Sequence, residues 1–271
     1  MLSRRILTLS LLLTGVSAYL YFFEHLSGFI WLLGTGILFA MSTFIFEHQI
    51  NWMWYRKYPP SLPPEMQKMY LRAGEFYKSL DEVARKKFDT RARLYVEANE
   101  FIAQGLKEVP EDVKYMIAYY AVMVSFFKED YLFDRDRRIV TYLHPFLTPN
   151  FPDHVHTYEL EHEDGTLIFA LEQLTAGFVN PTKYYQTALH AYAQLYTSRY
   201  LGDQTVPDAE VVWASLTEIG GWSKQNIEDF TGMLQPDPIP VMLHHWFARR
   251  EKMLRTYPEM YRMIEKWLIG L

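Results

Sequence analysis

Polar positions almost vanish from the N-terminal stretch of this chain. Ile6–Phe23 and Leu26–Phe46 are uncharged runs of 18 and 21 residues, parted only by Glu24 and His25. A helix needs about 20 apolar residues to cross a bilayer. The pattern therefore predicts two transmembrane helices, 6–23 and 26–46, folded as a tight hairpin, with the lipid bilayer as partner of residues 6–46. A cleaved signal peptide is the rival for the first run. Against it, no small-residue cleavage site follows and a second apolar run comes at once. Gly36 and Ala40 have the spacing that lets two membrane helices approach closely, though both residues are common in such helices anyway.

Arg4 and Arg5 precede the first run, Arg56 and Lys57 follow the second, and the loop between holds neither Lys nor Arg. The excess of cations on the inner side of membranes puts both ends in the cytoplasm. The expected location is the inner or plasma membrane, with the N-terminus and the C-terminal domain on its cytoplasmic face. Trp52, Trp54 and Tyr55 fall where an interfacial aromatic belt belongs.

Beyond residue 58 the pattern changes. Pro59–Pro64 reads as a stiff extended linker, and 65–271 as one domain. Met66, Met69, Tyr70, Ala73, Phe76, Tyr77, Leu80 and Val83 repeat every three or four residues, the mark of an amphipathic helix. Leu94, Ala98, Phe101 and Ile102 mark a second helix. Met116–Phe127 is nearly all apolar but too short to span a bilayer, so it reads as a buried core helix begun at Pro110-Glu-Asp. Ile139–Leu143 suits a strand. His154–His162 and Thr166–Leu171 flank Glu163-Asp-Gly165, a hairpin signal. Helices return after Pro181, over Thr187–Leu201, then after a loop marked by Pro236, Pro238 and Pro240, and from Pro258. The predicted class is α+β, mostly helical, with a small antiparallel β element and an N-terminal transmembrane helical hairpin.

The composition narrows the chemistry. With 271 residues the chain can hold one good-sized domain and an appendage. A net charge of −5 supplies no basic face for nucleic acid, and the absence of cysteine excludes disulfides, Cys-ligated zinc and thiol catalysis. His154 and His156 would share a strand face; solvated histidines are the favoured reading over a metal pair. Arg135, Arg137, Arg138 and Lys128 alternate with acids and read as a solvated face. Tyr184 and Tyr185 precede the stretch Ala188–Tyr196, and Tyr192 and Tyr196 lie within it.

That stretch reads Ala-Leu-His-Ala-Tyr-Ala-Gln-Leu-Tyr. A zincin helix carries His-Glu-x-x-His, in which two histidines bind zinc and the Glu acts as general base. Phe88-Asp-Thr-Arg-Ala-Arg, Phe101–Leu106, Pro110-Glu-Asp-Val-Lys, Met116–Ala121, Phe169–Phe178 with Asn180-Pro, Trp246-Phe247 and Tyr257–Tyr261 together resemble, in order and spacing, the Mlc titration factor A family of zinc-dependent peptidases. The resemblance covers about 88–268 and implies a zincin-like metallopeptidase domain. It places the first metal ligand on His190, the base on Ala191, the second ligand on Gln194 and the third near His244. Only His190 keeps the family type. Ala191 cannot take a proton, and an amide at 194 is a poor zinc ligand. His190 and His244 are thus vestigial metal positions, no catalytic residue remains, and no cofactor is expected, with zinc the exception should the site still function.

The reading is a membrane-anchored, catalytically inactive peptidase-like protein that binds a protein or peptide in regulation. The family's namesake binds a transcriptional repressor, which implies a transcriptional regulator as one class of partner. The alternatives are an active zinc peptidase that recruits another acid, from Glu159, Glu161, Glu163, Glu210, Glu218 or Glu228, and a structural membrane scaffold.

Overall fold

The computed structural model describes residues 2–161, 163–202 and 209–270. The chain divides into two compact units, 1–60 and 61–271.

In the first unit, α1 (Leu2–Phe22) packs along α2 (Phe29–Ile45), and α3 (Glu47–Lys57) follows a 68° bend at Phe46. The seam is built from small side chains. Ser3, Ser10 and Ser17 of α1 and Gly36, Ala40 and Thr43 of α2 are buried in it. A Cβ on Gly36 would lie 2.5 Å from Thr14 Oγ1, so the close approach requires glycine there. Asn51 of α3 accepts from the Ser3 amide at 3.1 Å and donates to Ser3 Oγ at 2.8 Å, while Ser3 Oγ donates to Glu47 at 3.0 Å. By itself α1 is long and apolar enough to cross a membrane; α2, with 17 residues, meets that test only together with α3. The second apolar run is thus not one straight helix to Phe46 but a shorter helix and a bent continuation.

The second unit is α+β and mostly helical. The periodic run from Met66 to Val83 breaks into α4 (Pro64–Ala73), α5 (Glu75–Ser79) and the start of α6 (Glu82–Ala98). Fully extended backbone at Gly74 interrupts the first pair, and the Asp81 carboxylate caps α6 by accepting from the Ala84 amide at 2.8 Å. Tyr70, Phe76 and Tyr77 still reach the core, while Val83 is exposed. The second predicted helix ends at Ala98. Phe101 and Ile102 belong to a strand instead, β1 (Glu100–Gln104). The buried helix α7 (Glu111–Val124) begins after Pro110 with two acids in its first turn, and Tyr115–Val124 are all buried.

Next come β2 (Arg138–Tyr142), β3 (Phe146–Thr148), β4 (Phe151–His156), β5 (Tyr158–Glu161), β6 (Thr166–Ala170) and α8 (Leu171–Val179). The main sheet runs β1-β2-β6-β5. Its β5–β6 hairpin is antiparallel, as the turn chemistry implies, with Gly165 at a left-handed φ of 60°. The β1–β2 and β2–β6 pairs are parallel, so the sheet is mixed rather than purely antiparallel. The predicted strand from His154 divides: β4 pairs with β3 in a separate two-stranded sheet, and β5 alone joins β6 (His162 lies outside the described residues). Gly232 fixes the division. At φ 73° it approaches β4 so closely that a Cβ would stand 2.1 Å from the Val155 carbonyl oxygen.

The remaining helices are α9 (Thr187–Tyr196), continued by a π turn over Thr197–Leu201, α10 (Ala209–Gly220), α11 (Lys224–Thr231), α12 (Pro238–Ala248), α13 (Arg250–Thr256) and α14 (Pro258–Ile269). Pro238 and Pro240 lie in the first turn of α12 rather than in a loop. A missing N–H costs nothing there, and the Asp237 carboxylate caps the helix by accepting from the Ile239 amide at 2.9 Å. One apolar core joins all of these around α7 and α9.

Candidate functional site: the His190 helix

The helix α9 runs through the centre of the domain and is pinned along its length. Gln186, just before it, donates to Tyr120 Oη of α7 at 3.2 Å, Tyr192 shares a hydroxyl hydrogen bond of 2.5 Å with Tyr95 of α6, and Tyr196 donates to the Trp267 carbonyl of α14 at 3.0 Å. Packing on several sides explains why the stretch is rich in Ala and Tyr: small residues let neighbours close in, and each ring buries a large face while its hydroxyl finds a partner.

His190 is 2% exposed. Its Nδ1 lies 2.6 Å from Tyr185 Oη, and the Tyr158 ring of β5 lies 5.5 Å away, centre to centre. Burial drives the His190 pKa down to about 4 and holds the Tyr185 hydroxyl well above its ordinary 10.0, so at neutral pH the ring is uncharged and the phenol protonated. Among the described residues, His190 is the one hydrogen-bond partner of that phenol. Its proton therefore goes to Nδ1, which leaves the ring hydrogen on Nε2. A metal-bound histidine needs a bare nitrogen, with its other nitrogen donating to a partner. This arrangement is the reverse.

Ala191 is fully buried. Gln194 accepts from the Tyr158 hydroxyl at 3.3 Å. His244 of α12 stacks on Tyr185, centroids 4.4 Å apart at 13°. Its neighbour His245 turns to the other side and fills the space at Gly220 of α10, where a Cβ would stand 2.1 Å from its Nε2. The two Nδ1 atoms are 3.0 Å apart, so one ring donates to the other. Burial, with the charges of neighbouring residues behind it, holds His244 well below 6.5 and His245 down to about 3. Tyr185 thus links His190 to His244, and the whole cluster is neutral.

Zinc at a catalytic centre takes three protein ligands and an open position. The resemblance gives His190 to the first ligand, Ala191 to the base and Gln194 to the second ligand; alanine has no polar group, and the Gln194 amide is engaged by Tyr158. Among the described residues no group of three or more His, Asp or Glu could hold a metal ion. The side chains at this site do not fit zinc.

Four of the acids that a rearranged site would recruit are engaged elsewhere. Glu159, 2% exposed, pairs with His156 at 3.1 Å and accepts from Asn150 at 3.0 Å. Glu161 also accepts from Asn150, Glu218 accepts from Tyr257 at 2.5 Å, and Glu228 accepts from the Gln235 amide at 2.9 Å. The Glu163 backbone amide donates to Glu161 at 3.3 Å while its own side chain is exposed, and Glu210 lies at the start of α10. His154 is exposed, as a solvated strand histidine is expected to be. His156 is not: it is fully buried between Phe146 and Phe151, with Nδ1 2.9 Å from the His154 carbonyl oxygen. Its partner Glu159 lies on the next strand, beyond the reach of a strand-face pattern. Tyr158 was equally hidden, because the contact with Gln194 spans 36 residues. Tyr185 belongs to the tyrosine cluster that the sequence displays.

The family model described as glucose-regulated metallo-peptidase M90 matches residues 50–195. The match runs from within α3 to one residue past Gln194, so it includes the His190 helix and stops short of α10–α14. No curated protein matches the chain.

Proposed function

The chain belongs to the glucose-regulated metallopeptidase M90 family, and on that premise we propose that it is a membrane-anchored member that has exchanged peptide hydrolysis for binding a protein or peptide, in a regulatory role. One observation carries the reading: the two side chains that the resemblance gives to metal ligands, His190 and Gln194, are engaged by Tyr185 and Tyr158. General-base catalysis contributes roughly 10²–10⁴-fold in rate, and Ala191 offers no base. Binding needs neither group. An open groove of about 620 Å³, lined by Leu143, Leu171, Ala176 and Val179 with His144 paired to Glu172 at its rim, supplies apolar surface for a peptide. A transcriptional regulator is the partner class that family analogy offers. The apolar helices 2–22 and 29–45 anchor the chain, with Arg4, Arg5, Arg56 and Lys57 on the cytoplasmic side.

The test is the zinc content and peptidase activity of the full chain, purified in detergent without a metal-affinity tag. Zinc far below one per chain and no chelator-sensitive aminopeptidase activity are expected. Near-stoichiometric zinc, with hydrolysis lost in His190→Ala, would overturn the reading. Any partner that binds the groove is released by Leu143→Asp with Val179→Asp, and retention by that variant moves the binding face elsewhere.

A further inference from the structure

Apart from the His190 cluster, a second concavity of about 190 Å³ opens where α4 and α12 end and α9 begins. That is room for roughly six waters at ~30 Å³ each. Arg72, Lys78, Arg249, Thr182 and Gln186 supply its polar wall.

The charge here is unbalanced. Arg249 is half-buried, and both of its hydrogen bonds go to backbone carbonyls: Nη1 donates to Ala248 at 3.2 Å and Nη2 to Pro181 at 3.0 Å. A guanidinium carries five N–H donors in a flat fork, so three remain. Among the described residues neither Arg249 nor Arg72 has a carboxylate partner; the acid on the rim, Glu75, is held by Lys78 at 2.8 Å. Three cations thus face one carboxylate. Gln186 is 6% exposed, and its Nε2 is held by Tyr120 Oη at 3.2 Å. It also stands just ahead of α9, whose first turn has no side-chain cap, and the positive end of the helix dipole adds to the field.

We propose that this pocket binds the phosphate group of a small anionic ligand. A half-buried cation without a counter-ion is costly, and an incoming anion relieves it. The surplus of two positive charges matches a phosphate monoester, which carries about −1.5 to −2 at neutral pH, better than a single carboxylate. Guanidinium forks pair two N–H groups with two phosphate oxygens at once. Lys78, with three N–H donors of which one goes to Glu75, gives a point contact at the rim. The site does not depend on whether the His190 centre is active, because none of these side chains belongs to it.

Isothermal titration of the full chain in detergent with inorganic phosphate, and with acetate at matched concentrations, tests the assignment. Saturable phosphate binding is expected, with acetate at least about tenfold weaker. Arg72→Gln and Arg249→Gln each weaken phosphate by about tenfold or more, the worth of one charge-assisted hydrogen bond, while Arg255→Gln, exposed on α13, leaves it unchanged. Absence of saturation overturns the site. Acetate binding as tight as phosphate overturns the phosphate assignment, and affinity unaltered in both arginine variants places any binding elsewhere. Should Arg249→Gln fail to fold by circular dichroism, Arg72→Gln decides alone, because that exposed side chain caps nothing.

Discussion

Ala191 shows how completely the His190 centre has become core. Its side chain is fully buried within the apolar core. A glutamate there would put a carboxylate into the apolar core, and an uncompensated buried charge costs about 3–5 kcal/mol. Ala191→Glu is therefore expected to lower the denaturation midpoint steeply and to give no peptidase activity; a variant as stable as the parent would mean that the cleft admits water. The buried histidines predict a pH response with a definite sign. In the unfolded chain His190 and His245 take up protons below about pH 6.5, but in the folded chain they stay neutral down to about 4 and about 3. The unfolded state then binds more protons, so stability falls as pH drops below about 6.5, by up to roughly 1.4 kcal/mol per pH unit for each ring. Urea midpoints compared at about pH 7 and about pH 5 should show the drop, and it should shrink in His190→Gln.

At the scale of elements, closeness is set by residues that have no side chain to spare. Gly232 ends α11 in a left-handed turn against the β4 backbone, where the Thr157 amide also donates to the Thr231 carbonyl at 2.8 Å. Gly232→Ala combines an unfavourable φ with a clash against Val155 and should cost about 2 kcal/mol or more. Hydrogen exchange should then rise first in β4 and β5, and protection unchanged there would show that the junction is not held by this contact. Strand identity was only partly legible at this scale. The Asp-Gly turn announces β5 and β6, whose partners are neighbours in sequence. β1 pairs in parallel with β2, Glu100 opposite Arg138, and Phe101 and Ile102 carry no local sign of a partner so far along the chain. The helix from Met66 looked continuous because α4 and α5 keep their apolar residues on a common core. Only the extended backbone at Gly74 separates them.

For the whole molecule, the proposed anchor in the apolar N-terminal unit predicts where the rest works. The full chain should sediment with membranes and resist alkaline carbonate, and a form lacking 1–60 should appear in the soluble fraction. Added protease should reach the 61–271 domain only from the cytoplasmic side. Release of the intact chain by carbonate, or cleavage from the opposite side, would refute the anchor or its orientation.

What residue types and local periodicity decide, the sequence determined by itself. The apolar hairpin segment, the buried helix after Pro110, the mostly helical α+β class and the family all rest on side-chain chemistry or on spacings within one element. What depends on residues meeting from distant parts of the chain, only the tertiary structure decided. Tyr158 and Tyr185 engage Gln194 and His190, His156 is buried on Glu159, and Arg72 and Arg249 share a pocket across 176 intervening positions. Such contacts follow from packing a whole core at once, and no local pattern encodes them.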